Sequence, residues 1–124
     1  MGTHSQYLDL AREGKLAELT AVTALNPEFA FAPCVEQYNY TALMRAACRG
    51  HEDIVTFLLA HGAADTIDSQ NTSNYTALHW ACACQQESCA KLLLSHGART
   101  DLIGFVVRNN FSIFLIPVIL LLYV

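Results

Sequence analysis

Asn39-Tyr40-Thr41-Ala42-Leu43 and Asn74-Tyr75-Thr76-Ala77-Leu78 are the same five residues, 35 positions apart. Leu58-Leu59 returns as Leu93-Leu94, and His61-Gly62-Ala63 returns as His96-Gly97-Ala98, at the same offset. Aligning 39–63 with 74–98 gives 12 identities in 25 positions. A repeat of this length is one supersecondary unit that buries its apolar face only against a neighbouring copy.

The unit reads as helix–turn–helix. Thr41 and Thr76 are placed to start the first helices, because a threonine hydroxyl accepts from a free N–H of the first turn. Ala42, Leu43, Ala46 and Ala47 follow as a narrow face of mostly small residues, which allows close approach of a second helix. Gly50 ends that helix, since glycine enters the left-handed conformation without strain. From about Glu52 a second helix carries Ile54, Val55, Leu58 and Leu59 at the i, i+1, i+4, i+5 spacing of one buried stripe. Gly62 ends it. Leu43, Leu58, Leu78 and Leu93 are the expected core.

These features resemble the ankyrin repeat, whose unit is a β-turn and two helices with a Thr-Pro-Leu-His opening. The openings here are Thr41-Ala42-Leu43-Met44 and Thr76-Ala77-Leu78-His79, the first inter-helix pair is Gly50-His51, and the closing pairs are Gly62-Ala63 and Gly97-Ala98. Asn39 and Asn74 stand where the family usually has Gly, and Asn is the residue that best tolerates positive φ after Gly. Gly50-His51 becomes Gln85-Gln86 in the second unit, which predicts a strained and looser turn there. Leu10-Ala11-Arg12-Glu13-Gly14 aligns with 46–50 at an offset of 36, and Leu16, Leu19, Val22 and Leu25 make a stripe stopped at Asn26-Pro27. The resemblance therefore implies an all-α, short ankyrin-repeat solenoid: a degenerate N-terminal capping repeat at 1–34, repeats at 35–69 and 70–102, and an apolar tail at 103–124.

Composition narrows the function. Hydrophobic residues are 53% of the 124 and charged residues 15%, which excludes disorder from low hydrophobicity. Seven basic against eleven acidic residues give a formal charge of −4, a poor balance for gripping a phosphate backbone, so no nucleic-acid partner is expected. Five cysteines without a regular framework, and no basic-then-apolar N-terminus, predict reduced thiols and a cytoplasmic chain. Asn39, Asn71, Asn74 and Asn110 match the glycosylation pattern, but a turn role explains the first three better.

Catalytic chemistry finds little support. His79, Cys82, Cys84 and Cys89 are a possible zinc set, yet His79 stands at the family's structural histidine and Cys82 at a small buried position held by Ala47 in the other copy. His51-Glu52-Asp53 lacks the second histidine of a metalloprotease helix, Val55 standing in its place. No phosphate loop or nucleophile elbow appears. The expectation is no enzyme, no cofactor, no metal and no small-molecule substrate.

What the resemblance implies instead is a protein partner held at turn tips and on the concave side of the first helices. The candidates are Gln37, Tyr38, Tyr40, Arg45 and Arg49 in the first full unit, and Thr72, Ser73, Tyr75 and Trp80 in the second. Tyr, Trp and Arg dominate interface energies. The competing structural reading is that Tyr40 and Tyr75 only pack on each other across adjacent turns, and that Trp80 is semi-buried packing.

The tail breaks the pattern. A third copy would need Thr at 111, where Phe111 stands, and would put Pro117 inside a first helix, at a cost of about 3 kcal/mol. Phe111 opens 14 uncharged residues ending at Val124, fewer than the roughly 20 of a spanning helix. The readings are a truncated or spliced end, membrane attachment through 111–124 with Arg108 at the interface, or packing onto the open end of the stack. The alternative function is thus a membrane-associated adaptor. Deleting 103–124 is expected to raise solubility and leave the helical circular dichroism of 35–98 nearly intact; a sharp fall in the unfolding midpoint with no gain in solubility would make the tail a cap instead.

Overall fold

The computed structural model describes residues 3–99; the tail readings lie outside the described residues. Those residues form α1 (His4–Glu13), α2 (Leu16–Leu25), α3 (Ala42–Arg49), α4 (Glu52–Leu58), α5 (Ala77–Ala83) and α6 (Glu87–Ser95). Short 3-10 turns cover Pro27–Ala30 and Val35–Gln37. Among the described residues there is no strand, only an isolated antiparallel bridge between Cys34 and Tyr40. The all-α expectation holds.

The helices pair as α1/α2, α3/α4 and α5/α6, and the first helices stack, α1 on α3 and α3 on α5. Ala11, Ala42, Ala46, Ala47, Ala77, Ala81 and Cys82 are all buried, and side chains this small allow the backbones to come close. The second helices supply the bulk: Ile54, Val55, Leu58 and Leu93 are fully buried. Leu43 and Leu78 close the core from the first helices at 2% and 1% exposure.

Each first helix starts on a threonine. Thr41 Oγ1 accepts from Met44 N at 3.2 Å and Thr76 Oγ1 from His79 N at 3.3 Å. Thr3 does the same for α1, accepting from Gln6 N at 3.1 Å while Gln6 Oε1 takes the Thr3 N–H at 2.9 Å, a complete capping box. Thr3 escapes the sequence comparison because it lies 38 residues before Thr41 rather than 35. The α4 end is less regular: one π-type turn over Leu59–Ala63 breaks at His61 and Gly62, with Gly62 at φ 110°.

The turns between paired helices carry a repeated contact. Gly14 and Gly50 are left-handed at φ 81° and 77°. Over each lies a polar side chain from the next unit. His51 Nε2 hydrogen-bonds Arg12 O at 2.8 Å, and Gln86 Nε2 donates to Cys48 O at 3.2 Å. A Cβ at Gly14 would sit 2.8 Å from the His51 ring, and one at Gly50 would collide with the Gln86 amide. Gln85 adopts the left-handed conformation predicted for it, φ 59°. Gln86, by contrast, is no loss: its amide repeats the reach that the His51 imidazole makes one unit earlier.

The N-terminal unit corrects one expectation. Leu19 of α2 is buried and Leu16 and Val22 are half-buried, but Leu25 is 72% exposed. The buried position is Thr23, whose hydroxyl meets the buried Tyr7 hydroxyl at 2.7 Å and donates to Leu19 O at 2.8 Å. The polar pair satisfies itself, so the helix turns Thr23 inward and leaves Leu25 in water. Leu58→Ala is expected to destabilise the fold by about 2–5 kcal/mol through lost burial and a residual cavity; an unchanged urea midpoint would show that Leu58 is not core.

Candidate partner-binding surface

The candidate residues gather on the fingers before α3 and α5 and on those two helices. The first finger is closed by Cys34 N donating to Tyr40 O at 2.8 Å. It turns at Tyr38 and Asn39, both left-handed at φ 55° and 62°. The second finger uses Asn71 instead. Its Oδ1 accepts from Ser73 N at 2.9 Å and Tyr75 N at 3.0 Å, and its own N–H donates to Tyr75 O at 3.0 Å. Asn74 then takes the left-handed turn, φ 64°. The asparagines are turn residues, as the sequence suggests. The fingers are tied tip to tip: Thr72 N donates to Tyr38 O at 3.0 Å.

Behind the tips lies an aromatic cluster. Trp80 packs on Tyr40 at 5.5 Å between ring centroids and on Tyr75 edge-on at 5.3 Å. Both tyrosines therefore lean on Trp80. The Arg45 guanidinium lies 4.1 Å from the Tyr40 ring centroid, a cation–π contact. Burial pushes the Tyr40 phenol above its ordinary pKa, and the Arg45 charge partly opposes this. Arg45 Nη2 also donates to Gln37 Oε1 at 2.8 Å, and Gln37 Nε2 donates to Ser5 Oγ at 2.7 Å and Ser5 O at 3.1 Å.

These contacts sort the nine candidates. Gln37 and Arg45 are engaged in a network that joins α1, the first finger and α3. Tyr40, Tyr75 and Trp80 are half-buried in the cluster, and Ser73 is half-buried in the Asn71 turn. Tyr38, Arg49 and Thr72 are exposed. Tyr38 is 70% exposed, and beside it Val35 is 83% exposed. Val35 escaped the sequence reading; an isolated valine in a turn offers no periodic signal. Asn71 escaped it as an organiser because its counterpart 35 residues earlier is Glu36.

Three of the four residues of the zinc reading are core residues. His79 is 1% exposed and its Nδ1 accepts from Thr76 N at 3.0 Å. Cys82 and Cys89 are buried in the core. Among the described residues no three His, Cys, Asp or Glu side chains converge as a metal would require.

Residues 11–103 match the family model of ankyrin repeats, in three copies. No curated protein matches the chain. The chain belongs to the ankyrin-repeat family, whose members are generally protein–protein interaction modules. Trp80 is the single tryptophan, so its fluorescence reports on the cluster. Thr76→Ala, which strips the α5 cap, is expected to cost about 1–2 kcal/mol and to lower the midpoint of the Trp80 transition; an unshifted transition would show that the cap does not hold α5.

Proposed function

We propose that this chain is a non-catalytic interaction module that binds a protein partner across its two finger tips and the adjoining faces of α3 and α5. Tyr38 carries the proposal. Its backbone is strained, since a bulky residue rarely takes positive φ. Its ring is nevertheless 70% exposed, so that strain gains no burial. Strain held at an exposed aromatic fits a contact residue better than a packing one. Val35 adds apolar surface at the same tip, and Arg49 and Thr72 add polar contacts. Gln37, Arg45, Tyr40, Tyr75 and Trp80 form the platform that fixes these tips, with Ser73 in the second turn. The partner is a protein; the acidic balance of the chain disfavours nucleic acid, and no catalytic constellation supports an enzyme. An odd cysteine count without a regular framework favours a cytoplasmic setting.

A second reading keeps the same surface and adds membrane association through 111–124. The charge-free run 109–124 favours it. No helix among the described residues is long and apolar enough to cross a membrane.

The test uses Tyr38→Asn combined with Val35→Ser. Asn tolerates the left-handed backbone, so the variant is expected to keep or slightly raise its thermal midpoint. Its affinity for a partner captured by the wild-type chain is expected to fall at least about tenfold, the effect of losing an interface anchor. Equal affinity in the two proteins would remove the tips from the interface.

A further inference from the structure

Two of the five cysteines meet across the junction between the full repeats. Cys48 lies in the last turn of α3 and Cys84 caps the end of α5. They are 36 residues apart, and their Sγ atoms lie 2.7 Å from each other. Both are half-buried thiols, whereas Cys34, Cys82 and Cys89 are buried at 1%, 1% and 0% exposure. We infer that Cys48 and Cys84 form a modification site: a dithiol that a small disulfide such as oxidised glutathione converts to an intramolecular disulfide linking the two repeats.

The geometry demands little. The sulfurs move by well under about 1 Å to reach the roughly 2.05 Å of a bond, and they already face each other across the stacked helices. The link would run beside the Gln86–Cys48 hydrogen bond that joins the same two units. The two cysteines are not repeat equivalents: Cys48 corresponds to Ala83, and Cys84 to Arg49. The pairing therefore comes from the particular residues at this junction, not from the repeat pattern.

The chemistry proceeds by exchange. Burial, reinforced by the neighbouring Cys48, pushes Cys84 up to about 12, which keeps it protonated near neutrality. Either thiol of the pair begins the exchange as its thiolate. It bonds one sulfur of the small disulfide and expels the other as a thiolate, which takes up a proton. The other thiol of the pair then lies against the mixed disulfide. It loses its proton and attacks the bonded Sγ, expelling the second small thiol. The two cysteines give up two protons and two electrons, and one small disulfide becomes two thiols. Cys82 and Cys89, raised by burial to about 12 and about 11, stay reduced in the core.

The test treats the full chain with oxidised glutathione and reads intact mass, non-reducing gels and thermal midpoint. Wild type is expected to lose two hydrogens, carry no glutathione and stay monomeric. Cys84→Ala is expected to trap one glutathione on Cys48, and Cys48→Ala one on Cys84, neither losing two hydrogens. Ala83 already occupies the Cys48 position in the next repeat, so that variant should fold; an untreated midpoint equal to wild type checks both. Oxidation is expected to raise the wild-type midpoint by about 10 °C or more, because the link closes a loop across two units. A persistent glutathione adduct on wild type, a disulfide-linked dimer, or loss of two hydrogens in Cys84→Ala would overturn the assignment. So would equal midpoints for the oxidised and reduced wild type.

Discussion

Ala46, Ala47, Ala81 and Cys82 set the distance between α3 and α5, and the remaining contacts depend on that spacing. With larger residues there, the first helices would separate, Gln86 would no longer reach Cys48 O, and the Thr72–Tyr38 bond between the fingers would open. No unit has an apolar face it can cover alone. The small-residue seam is thus what turns three marginal helix pairs into one core, and it also aligns the fingers that carry the candidate surface.

Legibility in the sequence followed the periodicity. The helices of the two full units, their threonine caps, the asparagine turns and the four core leucines all recur at an offset of 35, so each was visible twice. Where a feature occurs once, the reading weakened. Thr3 is out of register, Val35 has no counterpart in pattern, and Asn71 replaces Glu36. The Tyr7–Thr23 pair reversed the inward face of α2 near Leu25 because two hydroxyls, each ordinary in solvent, satisfied one another in the core. Hydrophobic spacing cannot foresee that exchange.

The candidate surface was legible as residue types but not as roles. Tyr, Trp and Arg at the fingers suggested contact residues, and the structure divides them by what already holds them. Arg45 is committed to Gln37 and Tyr40, and Trp80 to two tyrosines, whereas the Tyr38 ring is open to solvent. Likewise, nothing in the sequence pairs Cys48 with Cys84: the first stands only in the odd set of five, the second also in the zinc set. Their proximity needs the stacked helices, because it joins the end of one repeat to a nonequivalent position of the next.

The reach of His51 over Gly14, repeated by Gln86 over Gly50, gives the solenoid a direction of templating. Each glycine is a socket open toward the following unit, and each following unit supplies the plug. Gln85 holds the corresponding place in the last described turn with the same left-handed backbone. It has a Cβ where the earlier sockets are empty, and a Cβ in those sockets would stand within 3 Å of the plug. The socket at Gln85 is therefore shallower than the two before it. A side chain reaching over this turn, as His51 and Gln86 reach over theirs, would have to shift aside from the Gln85 Cβ.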